Sequence, residues 1–226
     1  MLRHNMFLAS KIRTQQTISV LNAVTSINGS ATMPTGILSG DLLIAGAMAG
    51  SGSSSTPAIT VAYGTGFTAI GSMTGTYTIS RFFYRATSAT SYKICNGTEG
   101  GTTIGGFLNA NGKSLIVFHI RGKLPIVSVS GTITTTTATT ADPPAYSSTT
   151  TTASDTIVYY YANTSNGIPE ISTNITPTLT ATVAASIYAG QAAGVWASTS
   201  ATTYTFDATD GGNMNLPMMG SLVLNY

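Results

Sequence analysis

A chain of 226 residues with 7% charged side chains, a net charge of +2 and one cysteine cannot draw solubility from charge, close an internal disulfide or build a cysteine metal cluster. Three of its basic residues, Arg3, Lys11 and Arg13, fall in the first thirteen positions and leave six basic against seven acidic groups in the rest, so no Lys/Arg stripe is left to hold nucleic acid. The near-neutral body is rich in Thr, Ser, Ala and Gly, which fits a subunit partly covered by neighbours in an assembly, or a secreted adhesive module.

At this length a single domain is expected, preceded by an arm over 1–16 and filling 17–226. In the arm, Leu2, Met6 and Ala9 recur at helical spacing. The apolar run Met6-Phe7-Leu8-Ala9 is too short for a signal peptide and is broken at Lys11, and no window has the length of a membrane helix, so the protein reads as soluble, not exported by the general secretory route and without a membrane partner. From Thr17 onward, short runs rich in Val, Ile, Tyr, Phe and Thr alternate with Gly, Ser, Asn and Pro, the chemistry of strands and turns. The predicted strands are Thr17–Val24, Asp41–Ala49, Tyr77–Ala86, Ser91–Asn96, Ser114–Arg121, Ile126–Thr134, Thr156–Ala162, Thr178–Ala184, Ile187–Trp196, Thr202–Asp207 and Met219–Tyr226. Arg81 and Arg85 share one face of their strand and Phe82 and Tyr84 the other. Gly50–Pro57 and Gly97–Gly106 read as loops, the Thr/Ser run Thr134–Thr152 as a separator of two halves, and Cys95 as a small buried hydrophobe.

The two halves repeat one order of markers. Gly40-Asp41-Leu42-Leu43-Ile44-Ala45, Ala86–Ile94 and Lys113-Ser114-Leu115-Ile116-Val117-Phe118 are answered by Ser154-Asp155-Thr156-Ile157-Val158-Tyr159, Thr199–Phe206 and Gly220-Ser221-Leu222-Val223-Leu224. A duplicated sheet motif, its copies packed face to face in an antiparallel β-sandwich, accounts for this order.

The series Gly40–Ala45, Thr56-Pro57 leading to Gly66–Gly71, Phe83-Tyr84-Arg85-Ala86, Leu115–Gly122 followed by Pro125-Ile126, and Ser154–Tyr159 resembles a jelly-roll-like module of small virion proteins of tailed phages, also found in some bacterial surface proteins. The likeness covers roughly residues 17–226 and rests on order, since each piece is a few apolar residues and a turn. Phe67 stands where that family usually has Trp, and the Thr-rich centre departs from its pattern. The resemblance implies an all-β, jelly-roll-like fold and a structural role in the virion: tail fibre, tail tip or capsid decoration. A basic-apolar arm carrying Arg3, Met6, Phe7, Lys11 and Arg13 is similar to the way such proteins dock onto a neighbouring subunit.

Catalysis has little material here. The acids Asp41, Glu99, Asp142, Asp155, Glu170, Asp207 and Asp210 are mostly far apart in sequence, and His4 and His119 are the only histidines. No Gly-x-Ser-x-Gly elbow appears, so neither a catalytic residue nor a cofactor is assigned. Asp41 and Asp155 each open an apolar strand and read as acceptors for turn N–H groups; His119 reads as a half-buried strand residue. Asp207–Asn213 lacks the spaced acids and closing Glu of a calcium loop and reads as a polar turn, so no metal site is assigned. Gly64-Thr65-Gly66 and Gly100–Gly106 precede no helix or P-loop lysine and read as sheet-edge turns. Tyr159, Tyr161, Tyr188 and Trp196 offer rings for core filling, subunit contact or a host surface glycan, with Tyr159 and Tyr161 on one side of their strand and Tyr160 on the other.

The expected protein is therefore a non-enzymatic virion component at the tail or fibre, meeting other virion proteins (tail, portal-proximal or capsid subunits). It is expected to form a homo-oligomer, a trimer being one arrangement. Capsid decoration is the alternative role, and a carbohydrate-binding or glycan-degrading module the alternative class.

Overall fold

The β-branched and aromatic runs form fifteen strands, and no helix occurs among the described residues. The computed structural model describes residues 18–27, 34, 36, 41–50, 58–59, 68–74, 78–86, 107–108, 112–121, 128–130, 146–150, 156–164, 167–185, 189–198, 202–209 and 218–225. The strands are β1 (Ser19–Ser26), β2 (Leu42–Gly50), β3 (Ala58–Ile59), β4 (Thr68–Thr74), β5 (Thr78–Ala86), β6 (Phe107–Leu108), β7 (Gly112–Arg121), β8 (Ser128–Ser130), β9 (Tyr146–Thr150), β10 (Thr156–Thr164), β11 (Glu170–Thr173), β12 (Leu179–Ala185), β13 (Ala189–Ser198), β14 (Thr202–Thr209) and β15 (Met218–Asn225). Ten of the eleven predicted strands recur here, and the eleventh, Ser91–Asn96, lies outside the described residues. So do the arm over 1–16, Cys95, Asp155, the stretch 51–57 and the loop Gly97–Gly106.

All pairings are antiparallel. One five-stranded sheet has the order β1-β7-β2-β5-β4, a second β12-β13-β10-β15-β8; a three-stranded sheet is ordered β11-β14-β9, and β3 pairs with β6. The first sheet packs on the second through β1, β7 and β2 against β12 and β13. Leu42, Ile44, Ile116, Phe118 and Ile120 from one sheet meet Ile157, Tyr159, Tyr161, Val183, Ala193 and Val195 from the other. The three-stranded sheet covers the opposite side of the second sheet, where Tyr204 and Phe206 of β14 pack with Val158, Tyr160, Ala162, Trp196 and Val223.

β10 is the centre of this arrangement because both its faces are core. Its three consecutive tyrosines are 0, 1 and 1% exposed: Tyr159 and Tyr161 face the first sheet and Tyr160 the third. Phe118 meets the edge of Tyr159 at 5.8 Å across the sandwich, while Tyr160 lies 4.4 Å from Trp196 and 5.2 Å from Phe206. Such pairs contribute about 0.5–1.5 kcal/mol each beyond area burial. Bulky rings on one strand need small residues on the next. Register supplies them, with Tyr160 opposite Gly194 and Ser221, and Tyr161 opposite Ala193 and Gly220. A Cβ on Gly194 would run into the phenol of Tyr160.

In β1, pairing with β7 shifts register between Val20 and Asn22. The bulge changes the phase of the alternation, so that Ile18, Val20 and then Ala23 all pack on the core between the sheets. Asn22 is thereby left opposite His119.

Five strands were not anticipated: β3, β4, β6, β9 and β11. β9 lies inside the Thr run read as a separator, and it is a strand because β-branched Thr fits a pleat once β14 offers its edge. β4 pairs with β5 through a bulge between Ala69 and Gly71 that breaks its period.

Gly194→Ala is expected to cost about 2–3 kcal/mol by overpacking against Tyr160, read as a lowered urea midpoint at unchanged m-value. Burial pushes the phenols of Tyr159 and Tyr160 well above their ordinary value. An unfolded tyrosine ionises near pH 10 while the folded one keeps its proton, so this stabilisation is complete below about pH 10 and falls as pH rises beyond it. Tyr160→Phe should flatten the alkaline decline in melting temperature, with no change in slope below pH 9.

Candidate functional site

His119 and Arg121 are two apart on β7 and so share one face of the sheet. Leu42 pairs with Ile120, which brings Asp41, immediately before β2, beside them. Asp41 Oδ2 accepts from His119 Nε2 at 2.7 Å and from Arg121 Nη2 at 2.8 Å, and Asp41 Oδ1 accepts from Arg121 Nε at 2.9 Å. This fork-to-fork contact is the strong form of an Arg–carboxylate pair. Arg121 Nη2 also donates to the Gly36 carbonyl at 2.7 Å, and Gly36 holds φ at +76°, in the left-handed region where glycine carries no Cβ penalty.

The carboxylate and the imidazole are sealed. Asp41 and His119 are 2% and 0% exposed, while a third of the Arg121 side chain meets solvent. The Asp41 carboxylate raises the Arg121 guanidinium above its ordinary value, first through their hydrogen bond, with desolvation opposing and their Coulomb attraction adding. His119 Nδ1 has no hydrogen-bond partner among the described residues, and neither has Asn22 Oδ1, which the β1 bulge places on the residue facing His119.

An Asp–His pair can orient an imidazole for proton transfer. Here the ring has no exposed surface, so the arrangement works as a clamp between the start of β2, the end of β7 and the Gly36 carbonyl. To the reading of Asp41 as a turn acceptor the structure adds bonds to side chains 78 and 80 positions away. His119 is fully buried, more than the half-burial expected, since both faces of β7 are covered. A second buried polar bond, Gln191 Nε2 to Ser114 Oγ at 2.7 Å, crosses the sandwich from β13 to β7.

Of the residues proposed for glycan contact, Tyr159, Tyr161 and Trp196 are core, at most 2% exposed, and Trp196 donates from Nε1 to the Ile175 carbonyl at 2.8 Å. No sugar reaches those rings in this fold. Tyr188 lies outside the described residues, as do the arm residues Arg3, Met6, Phe7, Lys11 and Arg13 and the segment 210–213 of the calcium-loop candidate. Among the described residues, no three His, Cys, Asp or Glu side chains gather as metal ligands. Sequence reasoning missed the cluster; its one readable signal was the i, i+2 spacing of His119 and Arg121.

Comparison with protein-family models, curated proteins and solved structures returns no match.

Replacing Asp41 with Asn removes the buried negative charge and turns one of the two acceptor oxygens into an NH2 group that faces donors of His119 or Arg121. Asp41→Asn is expected to lower stability by about 3 kcal/mol. A double-mutant cycle with His119→Gln should show coupling above about 0.5 kcal/mol, measured from urea midpoints.

Proposed function

We propose that the chain is a non-enzymatic structural subunit on the exterior of a tailed-phage particle, placed at the tail or fibre and acting through contact with other virion proteins and with copies of itself. The observation that carries this reading is where the chemistry goes. Among the described residues, the cluster of Asp41, His119 and Arg121 is spent on clamping strands, while Phe118, Tyr159, Tyr160, Tyr161, Trp196, Tyr204 and Phe206 fill two stacked cores. What remains is a rigid, weakly charged β body suited to packing. The ordered segments that resemble the phage module support the virion assignment.

A jelly-roll-like sandwich with a duplicated motif is the finer reading. In its support, the strands bearing Asp41-Leu42-Leu43-Ile44 and Ser114-Leu115-Ile116-Val117 pair antiparallel, as β2 and β7. Those bearing Thr156-Ile157-Val158-Tyr159 and Ser221-Leu222-Val223 also pair antiparallel, as β10 and β15. The remaining second-half marker falls on β14, in the third sheet. Burial of Tyr159, Tyr161 and Trp196 removes most of the surface on which the carbohydrate-module reading stood.

Quantitative mass spectrometry of purified particles tests the assignment. A few dozen copies or fewer per particle are expected. A count near that of the major capsid protein, or a fixed third of it, replaces the tail role with capsid decoration, and absence from the particle ends the virion reading.

A further inference from the structure

Two edge strands lie together on one side of the sandwich, β1 of the first sheet and β12 of the second, and they pack against each other. They are built differently. The β1 bulge at Val20/Asn22 twists that edge and spoils it as a template for another chain. β12 runs in unbroken register with β13 from Leu179 to Ala185 and contains neither a proline nor a charge. Its exposed side chains, Thr180 and Thr182, continue a single wet row that passes through Ser172, Asn174, Thr176 and Thr178. No charged residue occurs in the sequence between Glu170 and Asp207. The usual guards of an edge, inward charges, lysines, bulges and prolines within the strand, are missing from β12.

We propose that the outer edge of β12, on which no strand pairs among the described residues, pairs antiparallel with β12 of a second copy across a two-fold axis, joining two five-stranded sheets into one continuous sheet. The occupant follows from symmetry and charge. A two-fold axis sets a strand against its own reversed copy, so any charge on it would confront the same charge nearby; an uncharged strand meets itself without repulsion, while a charged peptide finds no complement there. A second observation points the same way. Leu21 and Ile27, two of the three exposed large hydrophobics among the described residues, at 42% and 56%, lie on or just after β1, the strand that packs against β12. The inference deepens the structural reading above by naming the surface through which copies meet, and it replaces the trimer with a two-fold pair.

Sedimentation equilibrium of the full chain at micromolar concentration tests it. The wild type is expected at twice 23.2 kDa. The double substitution Thr180→Lys with Thr182→Lys, and the matching pair Thr180→Glu with Thr182→Glu, should each be monomeric. Their far-UV spectra should match wild type, because both positions are already exposed, and their melting temperatures should not vary with protein concentration, whereas that of the dimeric wild type rises with it. An equimolar mixture of the two variants should recover the dimer mass, since opposite charges then face across the edge. A monomeric wild type, a dimer indifferent to the lysines, or a mixture that stays monomeric overturns the proposal; the last outcome would mean that β12 meets some other surface. The particle copy count fails or succeeds separately, because a chain absent from virions can still dimerise through β12.

Discussion

A strand that buries both faces cannot be satisfied by a two-layer sandwich, and β10 is such a strand. Ile157, Tyr159 and Tyr161 need cover on one side, Val158, Tyr160 and Ala162 on the other. The first sheet provides one layer and the three-stranded sheet the second. The large rings then dictate the neighbours: interiors pack at near-crystalline density, so three tyrosines in a row require Ala193 and Gly194 on β13 and Gly220 and Ser221 on β15. The Gly/Ala-rich composition of β13 is the complement of the tyrosine triplet.

Polar groups inside this frame fix which strands meet. Apolar faces of similar width can slide by two residues with little loss, whereas a buried donor or acceptor moved by one pleat loses its partner at a cost of about 1–3 kcal/mol. Gln191 with Ser114 sets β13 over β7, and Trp196 Nε1 with the Ile175 carbonyl ties β13 to the segment linking β11 and β12. Asn174 works as a peptide group would, accepting from the Thr205 amide at 2.9 Å and donating to the Thr203 carbonyl at 3.0 Å. The Asp41 clamp does the same for β2 and β7 at greater electrostatic stake, because an uncompensated carboxylate there would be a buried charge.

How much of this was legible depended on range. Alternation and β-branched content located β2, β7, β10, β12, β13 and β14 because those signals are local. The opposite facing of Tyr160 and its neighbours was also readable, as period-two geometry. That both faces were buried was not: an apolar run reads alike whether its second face meets water or a third sheet, so core filling, subunit contact and glycan contact all stayed open for its rings. Short strands such as β9 and β11 exist because β14 offers hydrogen-bonding edges to both, a tertiary cause without a local trace. Asp41 belongs with His119 only once β2 and β7 are paired.

The scarcity of charge acquires a structural meaning from the edges. An all-β chain exposes unpaired N–H and C=O groups along every edge strand, and soluble proteins usually guard these with lysines or inward-pointing charges. With 7% charged residues and none between Glu170 and Asp207, this chain has few such guards to place, and geometry is the remaining protection. β1 uses it: one extra residue at Leu21 bends the edge and, by resetting the alternation, keeps Ile18, Val20 and Ala23 on the core. β12 cannot do likewise, because a bulge there would carry Val183 out of the core it shares with Tyr161 and Ala193. Its flatness is imposed by the packing of its inner face, and an edge held flat from within and left uncharged from without is satisfied most completely by another strand.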